Sequence, residues 1–218
     1  MATTTLTDNK TRLPCEEHLF CLLKLISMPR KAQYNIEAVL SQAIDVFLEH
    51  GYHGAIMDEI IARTDFNRRG FYIEFGSKQT FLYMVLKHYQ TVHLNKIMEH
   101  LESNQGLDSI STFFTHYVEH IKGKGCLLIN CITELGFDDQ KIQEIGRHYL
   151  DRLQLDFIGC LEKAQGLGQV HNHINIESTA LQLTSYVQGF AVNAILAGDT
   201  DELQLATQAL LGPLAIRR

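Results

Sequence analysis

GYHGAIMDEIIARTDFNRRGFYIEFGSK, residues Gly51–Lys78, decides how this 218-residue chain is read. Ile56–Arg63 places Met57, Ile60 and Ile61 at helical spacing, and Thr64–Phe66 reads as a tight turn. Asn67 is a good N-cap for a second short helix reaching about Ile73, and Gly76-Ser77 breaks the chain before a longer one. Two short helices joined by a tight turn and packed on a longer preceding helix make a helix-turn-helix. The second helix would present Asn67, Arg68, Arg69, Gly70, Tyr72 and Ile73. Adjacent arginines at its N-terminal end suit base edges in a major groove, where a guanidinium makes paired bonds to guanine. Tyr72 is placed to bond a phosphate, and so is Lys78, helped by the backbone amides of a helix start. Arg30 and Lys31 form a basic arm able to reach the backbone or minor groove of the same duplex.

On the N-terminal side, Ile36, Val39, Leu40, Ala43, Ile44 and Phe47 make one apolar stripe, with Asn35 to start the helix and Gly51 to close it. On the C-terminal side, Ser77 opens a helix carrying Phe81, Leu82, Val85, Tyr89 and Val92 on one face. Asp108 is expected to cap the next, with Ile110, Phe113, Phe114, Tyr117, Val118 and Ile121 apolar. Further helical stretches run over Cys126–Leu135, Asp139–Ala164, Ile176–Leu196 and Asp201–Leu211, the last capped by Thr200. No alternating strand-like run, internal repeat or low-complexity tract is present. The expected fold is all-α with about nine helices: residues 1–28 an extension, residues 29–80 the helix-turn-helix domain and residues 81–218 a larger helical bundle. Met28 also reads as a natural start, ahead of the short basic lead-in MPRKAQYN.

Charge distribution narrows the function. The net charge is −6, yet residues 1–28 carry three positive and three negative side chains and residues 29–90 seven of each. The whole deficit falls in residues 91–218, with nine positive and fifteen negative. A nucleic-acid site must therefore lie in the first 90 residues and use locally clustered Arg and Lys rather than a basic domain. No apolar run approaches the ~18 residues of a membrane span, so no membrane partner is expected. Leu19–Ile26 is too short to span a membrane and lacks the positive flank of a signal peptide. Five cysteines, an odd number without metal-like spacing, point to a reducing compartment and a cytoplasmic location. No nucleophile–base pair, phosphate loop or paired carboxylates stand out, so neither an enzyme nor a cofactor is expected.

The segment resembles the DNA-binding domain of the TetR family of bacterial repressors. The resemblance rests on the Ile36–Phe47 helix, Gly51-Tyr52, Met57-Asp58-Glu59-Ile60, and Phe71-Tyr72 followed by Phe75, Ser77-Lys78 and Leu82. GKGCLLINCITELG, Gly123–Gly136, also resembles a segment of one group of TetR-like ligand domains. The departures are Ala55 where the family has Thr, Ile61 where it has Ala, Asp65 where it has Gly, Asn67 where it has Ser, Arg69 where Gly or Pro is common, and Glu74 where it has His.

The resemblance implies a ligand-responsive repressor, a homodimer on a palindromic double-stranded operator, released by a small molecule of unknown identity. Dimerisation is then expected through the last two helices, by Leu183, Val187, Phe190, Ala191, Ala194, Ile195, Leu203, Ala206 and Leu210, which exceed what one core needs. The implied ligand pocket falls among Phe113, Phe114, His116, Tyr117, His120, Cys126, Tyr149, Phe157 and Tyr186. The alternative is a helical protein-interaction module derived from such a regulator, its DNA binding lost through Ile61, Asp65 and Glu74. Cys126 and Cys131, with Cys160, invite a redox reading, but five residues apart on one helix they face different ways, and packing is the expected role. His171 and His173 lack the further ligands of a metal site and read as polar surface.

Overall fold

The structure, a computed structural model, describes residues 35–196 and 201–216. The expected cap Thr200, the basic arm Arg30 and Lys31, and Leu19–Ile26 lie outside the described residues. Ten α-helical segments follow one another: α1 (Ile36–Gly54), α2 (Met57–Arg63), α3 (Arg68–Phe75), α4 (Lys78–Tyr89), α5 (Asn95–Glu102), α6 (Leu107–Ile121), α7 (Leu127–Leu135), α8 (Gln140–Gly166), α9 (Ile176–Leu196) and α10 (Asp201–Leu211). A π-helical turn, Gln90–Leu94, joins α4 to α5, so the described residues form nine rods. The only β pairing among them is an isolated bridge between Val170 and Ala215. The fold is all-α.

Local caps fix where the helices begin. Asn35 Oδ1 accepts the Ala38 N–H at 3.3 Å, Asn67 Oδ1 the Gly70 N–H at 2.7 Å and Ser77 Oγ the Thr80 N–H at 3.0 Å. Gly51 interrupts α1 at φ 67°, ψ −177°, after which one more turn leads into Ala55. The cap expected at Asp108 is not formed. Asp108 lies in the first turn of α6, and the Leu107 N–H is taken instead by Gln169 Oε1 at 3.0 Å, across 62 residues. Gly106 at φ 73° permits this, because a Cβ there would stand 2.2 Å from that oxygen.

Two aromatic clusters hold the packing. Phe66, Phe71, Phe75 and Phe81 have ring centroids 4.6–6.3 Å apart and, with Phe47, fill the space between α1, α3 and α4. In the larger bundle Phe113, Phe114, Tyr117, Phe157 and Phe190 do the same. Each such pair adds roughly 0.5–1.5 kcal/mol beyond the area it buries.

The face of α9 expected between chains is turned inward. Leu183, Val187, Phe190, Ala191 and Ala194 are buried within their own protomer, as is Leu203 of α10, so they have no surface left to offer a partner. Ala206 and Leu210 are half-buried. What remains apolar and exposed is Leu181, Val192, Ile195 and Leu196 on α9 and Leu205 on α10. Of the expected interface residues, Ile195 alone is exposed. Because α9 is apolar on two sides, periodicity marks both stripes and does not say which one the bundle takes.

Candidate nucleic-acid interface

The turn between α2 and α3 is made by Thr64–Asn67. Thr64 Oγ1 donates to the Ile60 carbonyl at 2.6 Å, and Asp65 takes φ 51°. Aspartate is among the few non-glycine residues that enter this left-handed region readily, so the family's glycine is replaced at modest cost. Phe71 and Phe75 anchor α3 from beneath. Its outer face then presents Arg68, Arg69, Tyr72, Ile73 and Glu74, all exposed, with Gly70 half-buried.

These side chains are not equivalent. Arg68 is ion-paired with Asp58 of α2. Arg69 has no ion pair or hydrogen bond among the described residues. Arg63 pairs with Glu49 at 2.6 Å and His50 with Glu59 at 2.8 Å, tying α2 to the end of α1. These pairs are exposed and individually worth little, roughly 0–1 kcal/mol, but together they orient α2. The first turn of α2 has no side-chain cap, since Ala55 is buried and Ile56 holds the N-cap position.

Lys78, at the first position of α4, places its ammonium 4.5 Å from the centroid of the Tyr52 ring. Burial lowers its pKa and the Glu134 carboxylate works against that shift. Tyr52 is itself held from the larger bundle. Glu134 of α7 accepts the Tyr52 N–H at 2.8 Å and the His53 N–H at 2.7 Å. Gly51 is required there by its backbone, since φ 67° with ψ −177° is a conformation that side-chain-bearing residues rarely adopt. A second carboxylate, Asp139, caps α8 with one oxygen and with the other accepts Gln79 Nε2 at 2.8 Å and the Tyr83 hydroxyl at 2.7 Å. Burial pushes the Asp139 pKa up, but the hydrogen bonds from Tyr83, Gln79 and the Ile142 and Lys141 amides outweigh it, and the net shift is downward. Neither carboxylate was singled out from sequence, because their partners are 56–82 residues away.

The expected pocket residues divide into three groups. Phe113, Phe114, Tyr117 and Phe157 are fully buried and stacked on one another, and Tyr149 and Cys126 are buried with them. His120 is half-buried; its Nε2 lies 2.8 Å from the Tyr89 hydroxyl and its ring 4.9 Å from that of His93 in the π-turn. Burial, then His93 and Lys124, lower its pKa to about 4, so it is neutral at pH 7. His116 and Tyr186 are exposed, the former stacked on His100 at 4.3 Å and the latter edge-on to Phe190. A separate open cleft of about 590 Å³ between α7 and α8 is lined by Ile132, Gly136, Phe137, Gly146 and Arg147, none of them in the expected set. Cys126, Cys131 and Cys160 are all buried, and burial raises each thiol pKa, to about 11 for Cys160. His171 and His173 stack on each other at 5.2 Å, and no group of three metal-ligating side chains occurs among the described residues. No described helix is long and apolar enough to cross a membrane.

Residues 39–83 match the family described as bacterial regulatory proteins, tetR family, and residues 106–210 match the tetracyclin repressor-like C-terminal domain. An uncharacterized HTH-type transcriptional regulator of Bacillus subtilis, YezE, is 24% identical over 183 residues, covering 81% of this chain and 94% of its own. The HTH-type transcriptional repressor DhaR of Mycobacterium is 25% identical over 153 residues, covering 69% and 77%. Among solved structures, a cysteine-substituted CifR complexed with 26-base-pair operator DNA superposes with a TM-score of 0.73 at 18% identity, covering 86% of this chain and all of that one. At that identity the likeness establishes the fold.

Proposed function

We propose that this chain, which belongs to the TetR family of bacterial regulatory proteins, acts as a cytoplasmic dimeric repressor that binds a palindromic operator and is released by a small molecule. It is a helix-turn-helix transcriptional regulator by family. The observation that carries the finer reading is the exposed face of α3, with Arg69, Tyr72 and Ile73 projecting from a helix anchored by Phe71 and Phe75, and Lys78 beside it. A two-fold dimer presents two such faces, which calls for two inverted half-sites. Arg30 and Lys31 extend the contact, Asn67 fixes the start of α3 and Gly70 lets it approach closely. The exposed stripe of Leu181, Val192, Ile195, Leu196 and Leu205 is the surface for pairing with a second copy, because apolar area of this extent on the last two helices is removed from water by that partner. The small molecule enters the larger bundle near Tyr149, Cys126 and His120, and biases the spacing of the two α3 helices through Glu134 and Asp139.

Selection from random DNA followed by titration at several salt concentrations tests this. A symmetric site should emerge, with affinity falling as salt rises. Lys78→Ala should weaken all sequences about equally and reduce the salt slope by about 1 per neutralised phosphate. Recovery of no symmetric site, with no salt-dependent binding, would overturn the reading.

A further inference from the structure

We propose that Ile73 reads operator sequence by seating on the methyl group of a thymine, within about two base pairs of a guanine bonded by Arg69. The inference rests on the reading of α3 as a recognition helix. Ile73 is 74% exposed, against 43% for Tyr72 and 60% for Ile56, making it the most exposed large apolar side chain of the helix-turn-helix. Among the described residues it takes no part in the core, since Phe71 and Phe75 supply the inner face of the same helix at 0% and 2% exposure. Ile73 stands four residues after Arg69, one helical turn, so the two side chains share a face. Arg68 is engaged by Asp58, which leaves Arg69 as the arginine of α3 without a protein partner among the described residues.

The chemistry follows from what a major groove displays. Every base-edge feature there is a hydrogen-bond donor or acceptor except the thymine methyl. A branched hydrocarbon side chain gains nothing from a phosphate or a polar edge, whose water it would displace without returning a bond. It gains from the methyl, which it removes from water. Arg69 offers two N–H donors to guanine O6 and N7. One turn of α-helix rises about 5.4 Å and successive base pairs are about 3.4 Å apart, so the two contacts fall one to two base pairs from each other.

The test uses the full chain and the operator recovered by selection. Each thymine of a half-site is replaced in turn by deoxyuridine, which pairs identically and lacks only the methyl. At one position per half-site the wild-type protein should bind about fourfold more weakly for each methyl removed. Ile73→Ala should bind the thymine operator with that same loss and no longer distinguish deoxyuridine there. Arg69→Ala should keep the deoxyuridine effect while accepting other bases in place of the guanine. If deoxyuridine at every thymine leaves wild-type affinity unchanged while symmetric, salt-dependent binding persists, the Ile73 contact is wrong and the regulator reading stands. If Ile73→Ala remains fully sensitive to deoxyuridine, another residue makes the contact and the inference falls. If no operator is bound at all, both readings fall together.

Discussion

Removing the Glu134 carboxylate should loosen the segment that carries Tyr52, and the size of the effect follows from two hydrogen bonds. Glu134 accepts the Tyr52 N–H at 2.8 Å and the His53 N–H at 2.7 Å, one per carboxylate oxygen. Hydrogen bonds to a charged group are worth roughly 1.5–3 kcal/mol when shielded. Here the carboxylate is half-buried and His53 is exposed, so water replaces part of what is lost. A net cost of about 2 kcal/mol for Glu134→Ala is expected. At roughly 2–4 °C per kcal/mol for a chain of this size, the melting temperature should fall by about 4–8 °C. Glu134→Gln keeps one acceptor oxygen and should fall about half as far. Thermal unfolding followed by circular dichroism at pH 7 measures the first quantity, and amide exchange at Tyr52 and His53 measures the local one. Because the Tyr52 ring lies under Lys78, operator affinity should drop in the same order, wild type above Glu134→Gln above Glu134→Ala. A Glu134→Ala protein that melts within about 1 °C of wild type, with unchanged exchange at both amides, would refute the reasoning.

Three further outcomes are expected. His120 is neutral in the native protein with a pKa near 4, against 6.5 for the free side chain, so its contribution is fully present above about pH 6.5 and is lost as pH falls toward 4. His120→Gln, which still offers an acceptor to the Tyr89 hydroxyl, should therefore lose less melting temperature than wild type between those limits; parallel curves would remove His120 as a source of acid sensitivity. Ile56→Ser supplies the side-chain cap that α2 lacks and should add about 0.5–1 kcal/mol, seen as a melting temperature higher by about 1–4 °C, with no gain meaning that the first turn of α2 is already satisfied. Val192→Glu on the exposed side of α9 should give a folded monomer by sedimentation, whereas Val187→Glu on the buried side should reduce the folded fraction; a Val192→Glu protein that still sediments as a dimer moves the interface elsewhere.

The helix-turn-helix was legible because its signals are local. Asn67 and Ser77 cap helices through amides three residues away, a spacing visible in the sequence, and Phe71 and Phe75 mark the buried side of α3 by their separation alone. The same logic failed at Asp108, where a suitable capping residue lost to Gln169, whose approach depends on the tertiary fold and on Gly106. It failed again on α9. Leu183, Val187, Phe190 and Ala194 form a good apolar stripe, and so do Leu181, Val192 and Leu196; only the packing of the neighbouring helices decides which stripe is inside.

The part of the site that sequence did not disclose is the link between the two halves of the described chain. Glu134 and Asp139 flank Gly136 at the turn between α7 and α8, and each grips the helix-turn-helix side at a different place, the end of α1 and the first turns of α4. Glu134 on an amphipathic helix reads as solvated surface and Asp139 as a helix cap, and nothing within ten residues of either one reveals its long-range partners. Yet the two grips bear on residues that serve opposite ends of one contact, since Tyr52 underlies Lys78, and Gln79 follows it in the chain. The exposed face of α3 is therefore set by short-range chemistry, whereas the helix-turn-helix is tied to the larger bundle in part by two long-range carboxylates, and only the first of these is written in consecutive residues.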